Sequence, residues 1–459
     1  MSGRQYKVAL FRLMDEFYNT HWTDMIAHAF KSAGHEVRFI DIFPPDDAIS
    51  LMARIRNYKP DFCVSQNASV FEPSHPRGID LEILISSEKI PVLYWFTDYP
   101  DGGTFDSRLR WRIHPYPQNG LFIVPEPNNE SFFKERGLPV HYVPPGVDLR
   151  LKDFKPDADL AKELACEMSF VAEVRRPDLF ANEAIKEISG QVNSGDFPGT
   201  CEITLRQDQM QEIGDRWLEF RTHLSDLESL IISFYQLPCL SPEQFKTSIC
   251  SFYKSVGDRF GFAFSGFLQL WFQRFSNDYS MIHMINHCRE LEPMGLKVFG
   301  PRGWSEILTD GGASLCRKLY PAEALTLYSA SKMVFSYQPL HFQYSMHENE
   351  LLSGAMGTLP LIHYREQAAE LFKPDEIITW KVIEEAKDYF KYYLKHETER
   401  KTIANKMRTR IFEEHTLIHR VKQNVKHLEE DFGISKRWFV PALEVQSTSS
   451  ATPNPVPPN

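Results

Sequence analysis

Residues 332–362, KMVFSYQPLHFQYSMHENELLSGAMGTLPLI, constrain the fold more than any other stretch of this chain. They read as strand, loop, helix, glycine, strand. Lys332 to Gln338 is rich in Val, Phe and Tyr, residues that suit a pleated surface. Ser345 opens a helix with Glu348 three residues on, the spacing of a capping box. Gly357 is a normal helix stop, and Leu359 to His363 is a second apolar strand. In a parallel α/β sheet this order aims the helix N-terminus at the crevice above the strand ends. Orphan N–H groups and the helix dipole make that end suitable for a diphosphate. An ordinary βαβ unit with no ligand has the same pattern.

The first 150 residues repeat this rhythm. Strands are expected at Lys7–Leu13, Val37–Phe43, Asp61–Ser65, Pro91–Thr97, Leu121–Val124 and Val140–Val143. Helical patterns lie between them, at Thr23–Ser32, Ala48–Asn57, Ile79–Glu88 and Asn129–Arg136. Alternation with short connections predicts an α/β fold with both sheet faces covered. The charged stretch after Gly146-Val147-Asp148 reads as a linker, residues 151–165. A second α/β set follows over residues 166–432: a strand at Met168–Ala172, a helix at 175–188, a strand at 295–301 and the unit at 332–362. Helices at Val382–His396, Thr398–Glu414 and Leu417–Phe432 close it. Residues 205–290 carry long amphipathic patterns with little strand signal and read as a helical insertion in the second domain. Residues 433–459 form a tail, and its Ser/Thr/Pro-rich end from 446 suggests disorder.

Composition narrows the function. The chain has 459 residues, 42% of them hydrophobic, enough for two sizeable domains. A formal net charge of −10 provides no global basic field for nucleic acid. The longest near-apolar run, Phe260 to Phe272, is far short of the ~20 residues that span a bilayer. Seven scattered cysteines without a CxxC suit free thiols in a reducing compartment. No signal peptide is visible at the N-terminus, so a soluble cytoplasmic protein is expected.

Four stretches carry a family resemblance: FIVPEPNNESFFKERGLPVHYVPPGVD (122–148), CEMSFVAEVRRPDLF (166–180), LKVFGPRGW (296–304), and residues 320–372 with 413–428. Together they resemble bacterial glycosyltransferases of the spore-maturation-protein type, with a glycosyltransferase-group-1-like C-terminal domain. The resemblance implies a GT-B fold, two Rossmann-like domains facing a cleft. The first would be the acceptor domain and the second the nucleotide-sugar donor domain. It implies a metal-independent enzyme with no cofactor, whose donor substrate is a nucleotide-diphosphate sugar. The acceptor would be a glycan, a lipid-linked intermediate or a protein, in surface polysaccharide or glycoprotein biosynthesis. Peripheral membrane association and a homo-oligomer are compatible with the aromatic insertion.

Glycosyl transfer needs charge stabilisation at the leaving diphosphate and a base for the acceptor hydroxyl. On the donor side the candidates are Arg175 and Arg176 after the first strand of the second domain, since an Arg can neutralise phosphate bidentately. A solvated helix start explains that pair equally well. The helix start at Tyr344, Ser345 and His347, with Glu350, is the second candidate group. Gly300 and Arg302 after a strand end are the third, with a plain turn as the rival explanation. The family commonly places a Glu five residues before the helix-ending Gly; here that position is Leu352. On the acceptor side, Asp98 ends the strand PVLYWFTD, where topology faces a side chain into the crevice. The family often has Asp-x-Pro there, matched by Asp98-Tyr99-Pro100; a turn cap before Gly102 is the alternative. His21, in the loop or first helix after the first strand, is the second candidate base, or else a packing residue. Glu126, in a context that also suits a helix cap, ranks third. The DAD at 157–159 sits in the charged linker and reads as solvated. No metal site is expected. The rival functions are a non-catalytic GT-B-like binding or scaffold protein, and a nucleotide-sugar epimerase.

Overall fold

A computed structural model describes residues 4–14, 17–43, 47–66, 81–97, 119–134, 137–172, 272–300, 303–308, 313–316, 319–337, 342 and 344–434, with isolated positions between 247 and 258. The expected helix at 175–188, the insertion at 205–290 up to residue 271 apart from those isolated positions, and the Ser/Thr/Pro-rich tail lie outside the described residues; the last part of the insertion, 272–290, is helical as expected.

The described strands form two six-stranded sheets, each parallel throughout. In the first half, β1 (Lys7–Leu13), β2 (Glu36–Ile42), β3 (Phe62–Gln66), β4 (Val92–Trp95), β5 (Gly120–Val124) and β6 (Val140–Tyr142) alternate with α1 (Phe17–Ser32), α2 (Ala48–Tyr58), α3 (Leu81–Ser87) and α4 (Glu130–Lys134). The second half opens after α5 (Ala158–Leu164). Its strands are β7 (Cys166–Val171), β8 (Leu296–Gly300), β9 (Ala313–Cys316), β10 (Ser331–Phe335), β11 (Leu359–His363) and β12 (Ile378–Trp380). Its helices are α6 (Phe272–Leu291), α7 (Trp304–Ile307), α8 (Pro321–Ala330), α9 (Glu348–Ala355), α10 (Glu366–Leu371), α11 (Ile383–Lys395), α12 (Glu397–Glu414) and α13 (Leu417–Phe432).

The strand sequences explain this layering. In β1, Ala9 and Phe11 enter one core, while Val8 and Leu10 enter the core on the opposite face. The same division holds in β4, with Val92 and Tyr94 on one side and Leu93 and Trp95 on the other, and in β5. A strand apolar on both faces needs helices on both, which is the parallel-sheet solution. The expected α/β fold with two Rossmann-like halves is what the chain adopts.

Two differences from the sequence expectation matter. First, the linker is partly structured. Asp157 caps α5 by accepting from the N–H groups of Asp159 and Leu160 at 3.0 and 2.9 Å, and α5 packs against α8. That assigns the aspartate at the head of the 157–159 DAD to helix capping. Second, α13 returns to the first half. Leu417, Val421, Val425 and Leu428 belong to the same core as Val8, Leu10 and Ile26. The return crosses the outgoing chain at Val147, whose N–H donates to His415 at 3.0 Å and whose carbonyl accepts from Leu417 at 2.7 Å.

Candidate functional site

Strand order locates the crevices. The second sheet runs β12-β11-β10-β7-β8-β9. Numbered from its own first strand this is 3-2-1-4-5-6, the classical dinucleotide-fold order, and its topological switch lies between β7 and β10. The segment after β7 begins at Ala172 and leads to Arg175 and Arg176, which lie outside the described residues. The segment after β10 leads through Ser336 and Tyr337 to α9. Two of the three donor-side candidate groups therefore follow the two strands of the switch point, and the third, Gly300 and Arg302, follows β8. In the first sheet, β2-β1-β3-β4-β5-β6, the switch falls between β1 and β3. His21 follows β1, and Asp98, outside the described residues, follows β4.

The start of α9 differs from the S-x-x-E expectation. The helix begins at Glu348, and His347 is its N-cap, with Nδ1 accepting from Asn349 N–H at 3.2 Å. The capping-box partner is Glu350, whose Oε2 accepts from His347 N–H at 3.1 Å. Its Oε1 accepts from the Ser336 hydroxyl at 2.6 Å, tying the helix to the end of β10. Glu350 is fully buried, so its carboxylate organises the loop from within. Gly357, at φ 82°, terminates the element as expected.

Ser345 is released from capping because it serves the interface between the two halves. Its hydroxyl donates to the Pro125 carbonyl, just beyond β5. Its N–H donates to Glu126 Oε2 at 3.0 Å, and Tyr344 N–H donates to Glu126 Oε1 at 3.1 Å. Glu126 and Ser345 are both fully buried. Burial raises the Glu126 carboxyl pKa, and the Ser345 and Tyr344 donors and the Arg365 charge oppose that rise. A parallel link uses Gln367, which accepts from Met346 N–H at 2.6 Å and donates to the Tyr142 hydroxyl at the end of β6. Arg365, 3% exposed, donates to the carbonyls of Phe342 and Tyr364 at 2.6 and 2.7 Å. Its charge is felt by Glu126 and Glu350. The C-terminal edge of the first sheet thus meets the loop after β10. Every backbone N–H from Tyr344 to His347 already has an acceptor within the protein.

The remaining candidates fall elsewhere. Gly300 is explained by packing: a Cβ there would stand 2.1 Å from the Ala172 carbonyl oxygen and 2.9 Å from the Trp304 indole. That indole itself donates to Ala172 at 2.8 Å. Arg302 lies outside the described residues. Tyr344 is partly exposed, and its hydroxyl donates to Glu370 at 2.7 Å, which pushes its pKa up to about 12. Leu352, at the position where the family carries Glu, packs against the cluster of Met407 and Ile411. His21 lies in the second turn of α1, half-buried. Burial and the nearby Arg150 charge lower its pKa, while Asp148 and Asp24 oppose them. A neutral imidazole is the form a general base needs. Asp148 itself is held by His28 at 3.1 Å and by Arg150. Among the described residues, no group of three or more His, Cys, Asp and Glu is arranged to hold a metal ion. None of the described helices is long and apolar enough to cross a membrane.

Sequence reasoning ranked Glu126 low and missed Tyr142, Arg365 and Gln367. Nothing local marks the Tyr142–Gln367 pair, whose members lie 225 residues apart in the chain.

Residues 281–426 match the family model described as "Glycosyl transferase-like". The matched span runs from α6 into α13 and includes the switch-point strand β10 and the whole Tyr344–Glu350 loop. No curated protein sequence matches the chain. Among solved structures, sucrose-phosphate synthase from Thermosynechococcus elongatus aligns with a TM-score of 0.44 at 11% identity, over 93% of this chain and 100% of that one. Anabaena Alr3699/HepE in complex with UDP-glucose aligns with a TM-score of 0.43 at 10% identity, over 93% and 100%. A UDP-forming trehalose-phosphate synthase from Burkholderia xenovorans gives 0.42 at 10%, over 93% and 99%.

Proposed function

We propose that this protein is a metal-independent glycosyltransferase. It would move a sugar from a nucleotide-diphosphate donor to a hydroxyl of a glycan, lipid-linked or protein acceptor in surface polysaccharide or glycoprotein biosynthesis. The observation that carries this reading is the glycosyl transferase-like match over residues 281–426, lying on a sheet with the dinucleotide-fold strand order. In the reaction, the bond from the sugar's anomeric carbon to the diphosphate breaks. A bond to the acceptor oxygen forms, and the acceptor proton passes to a base. Asp98 is the first candidate for that base and His21 the second. Arg175 and Arg176, together with the loop before α9, are the candidates for the diphosphate. The saturation of the Tyr344–His347 N–H groups by protein acceptors favours a non-catalytic binding protein instead.

Thermal-shift measurement with UDP, GDP, dTDP, CDP and ADP tests the reading. A nucleotide at ~100 times its dissociation constant adds about 2.7 kcal/mol of stability. Stabilisation by one nucleotide, reduced in Arg175→Ala, is the expected result and identifies the donor class. No shift with any of the five at millimolar concentration would shift the balance to the scaffold reading.

A further inference from the structure

We propose that Glu126 is an interdomain latch that competes with the donor for the loop before α9. This rests on the donor-side reading above and gives it a regulatory step. The Glu126 carboxylate comes from the first half, directly after β5. Its two oxygens take two successive backbone N–H groups, those of Tyr344 and Ser345, at 3.0 to 3.1 Å. Two anionic oxygens on two adjacent loop N–H groups is also an arrangement a phosphate can adopt. The Ser345 hydroxyl on Pro125 and the Tyr142–Gln367–Met346 relay close the seam on either side.

The two anions exclude one another. The N–H groups are already spent, and a diphosphate placed beside a buried carboxylate meets like-charge repulsion in a poorly screened site. Donor binding therefore requires Glu126 to withdraw. Since Glu126 belongs to the other half of the molecule, its withdrawal opens the seam. A ligand shifts such an equilibrium by its differential affinity for the two states, and here the latched state holds the Tyr344 and Ser345 N–H groups on Glu126. Removing the latch should raise nucleotide affinity by the ratio of latched to unlatched protein.

The test is calorimetric titration of the full chain and of Glu126→Ala, Glu126→Gln and Ser345→Ala with UDP, GDP, dTDP, CDP and ADP. Small-angle scattering of each, with and without nucleotide, reads the opening. The expected result is that Glu126→Ala binds the preferred nucleotide about ten-fold more tightly or better, which corresponds to about 1.4 kcal/mol. Glu126→Gln should gain less, because its amide oxygen still accepts. Wild type should expand on binding, while Glu126→Ala is expanded from the start. Should Glu126→Ala fail to fold, Ser345→Ala decides, because it loosens the latch and leaves both N–H groups in place; a smaller gain in the same direction is expected. Equal or weaker binding by the variants, with wild type binding normally, overturns the latch and leaves the donor site standing. No binding by any of the four proteins overturns the donor-site reading, and the latch with it.

Discussion

The two halves of the molecule are joined at two seams of opposite chemistry. At one, α13 lays Leu417, Val421, Val425 and Leu428 into the core of the first sheet. Tyr6 adds a 2.6 Å hydrogen bond to Glu429, and His141 a 2.7 Å contact to Asp431. At the other, Glu126, Ser345, Gln367 and Tyr142 are joined mainly by hydrogen bonds, with the Tyr142 ring set edge-on to Tyr344. The difference teaches which seam can serve a cycle. Exposed apolar surface gains nothing from water, so the α13 seam is lost only with the fold. A hydrogen bond exchanged for one to water or ligand costs little net. The polar seam can therefore change partners while the α13 seam acts as tether.

The strongest way to break this contrast is Leu428→Ala, a fully buried position in the α13 seam. A loss of about 2–5 kcal/mol is expected from transfer and cavity terms. Urea denaturation, followed by the fluorescence of the first-half Trp22 and Trp95, would read it. A loss below about 1 kcal/mol would mean that α13 contributes little to the first core.

Acidification should act next, at the crossing beside that seam. His415 Nε2 donates to the Leu371 carbonyl at 3.0 Å, and Nδ1 accepts from Arg420 at 3.1 Å. The imidazole is thus held neutral, and burial with the Arg420 charge brings its pKa down to about 4. The unfolded chain takes up this proton near pH 6.5, well before the folded one. Stability is therefore complete above about pH 6.5 and falls between there and pH 4, by at most about 1.4 kcal/mol per pH unit from this residue. Glu126 works in the opposite direction, because its raised pKa lets the folded state bind that proton first. His415→Gln retains a donor and an acceptor and should flatten the profile between pH 7 and pH 5. An unchanged slope would remove His415 as its source. At the same crossing, a Cβ on Gly146 would stand 3.0 Å from the Thr416 carbonyl carbon and 3.1 Å from Leu417 N. Gly146→Ala should cost about 1–3 kcal/mol by overpacking, measured by the same denaturation. No loss would show that the two segments part there without strain.

The sequence made the α13 seam partly legible and the polar seam almost invisible, and the reason is range. Periodic apolar residues set the limits of α13 at Leu417–Phe432 and of β11 at Leu359–His363, and both match the structure. That α13 returns to the first half could not be read, because an amphipathic face does not name its partner. The S-x-x-E signal at 345–348 misplaced the cap. Locally Ser345 is a good capping residue, yet its hydroxyl finds Pro125 across the seam, and the cap moves to His347 with Glu350. Glu126 likewise sits in a capping context, heading a 3-10 turn at Pro127–Asn129, but its side chain makes no cap bond. Tertiary hydrogen bonds outcompeted two local signals at one place, which is where a functional compromise is expected.

The smallest expected stability effect is the sharpest test of the contrast. Ser345→Ala removes one hydroxyl from the polar seam and leaves the Pro125 carbonyl to find water. A buried carbonyl that loses its partner costs about 1–3 kcal/mol when water cannot reach it, and about 1 kcal/mol or less when it can. Because this seam opens, the lower figure is expected, with an unchanged urea m-value and a larger radius of gyration. A loss as large as that of Leu428→Ala would show that the seam is sealed like a core. The two seams would then be one rigid junction, and domain opening would have to come from elsewhere in the chain.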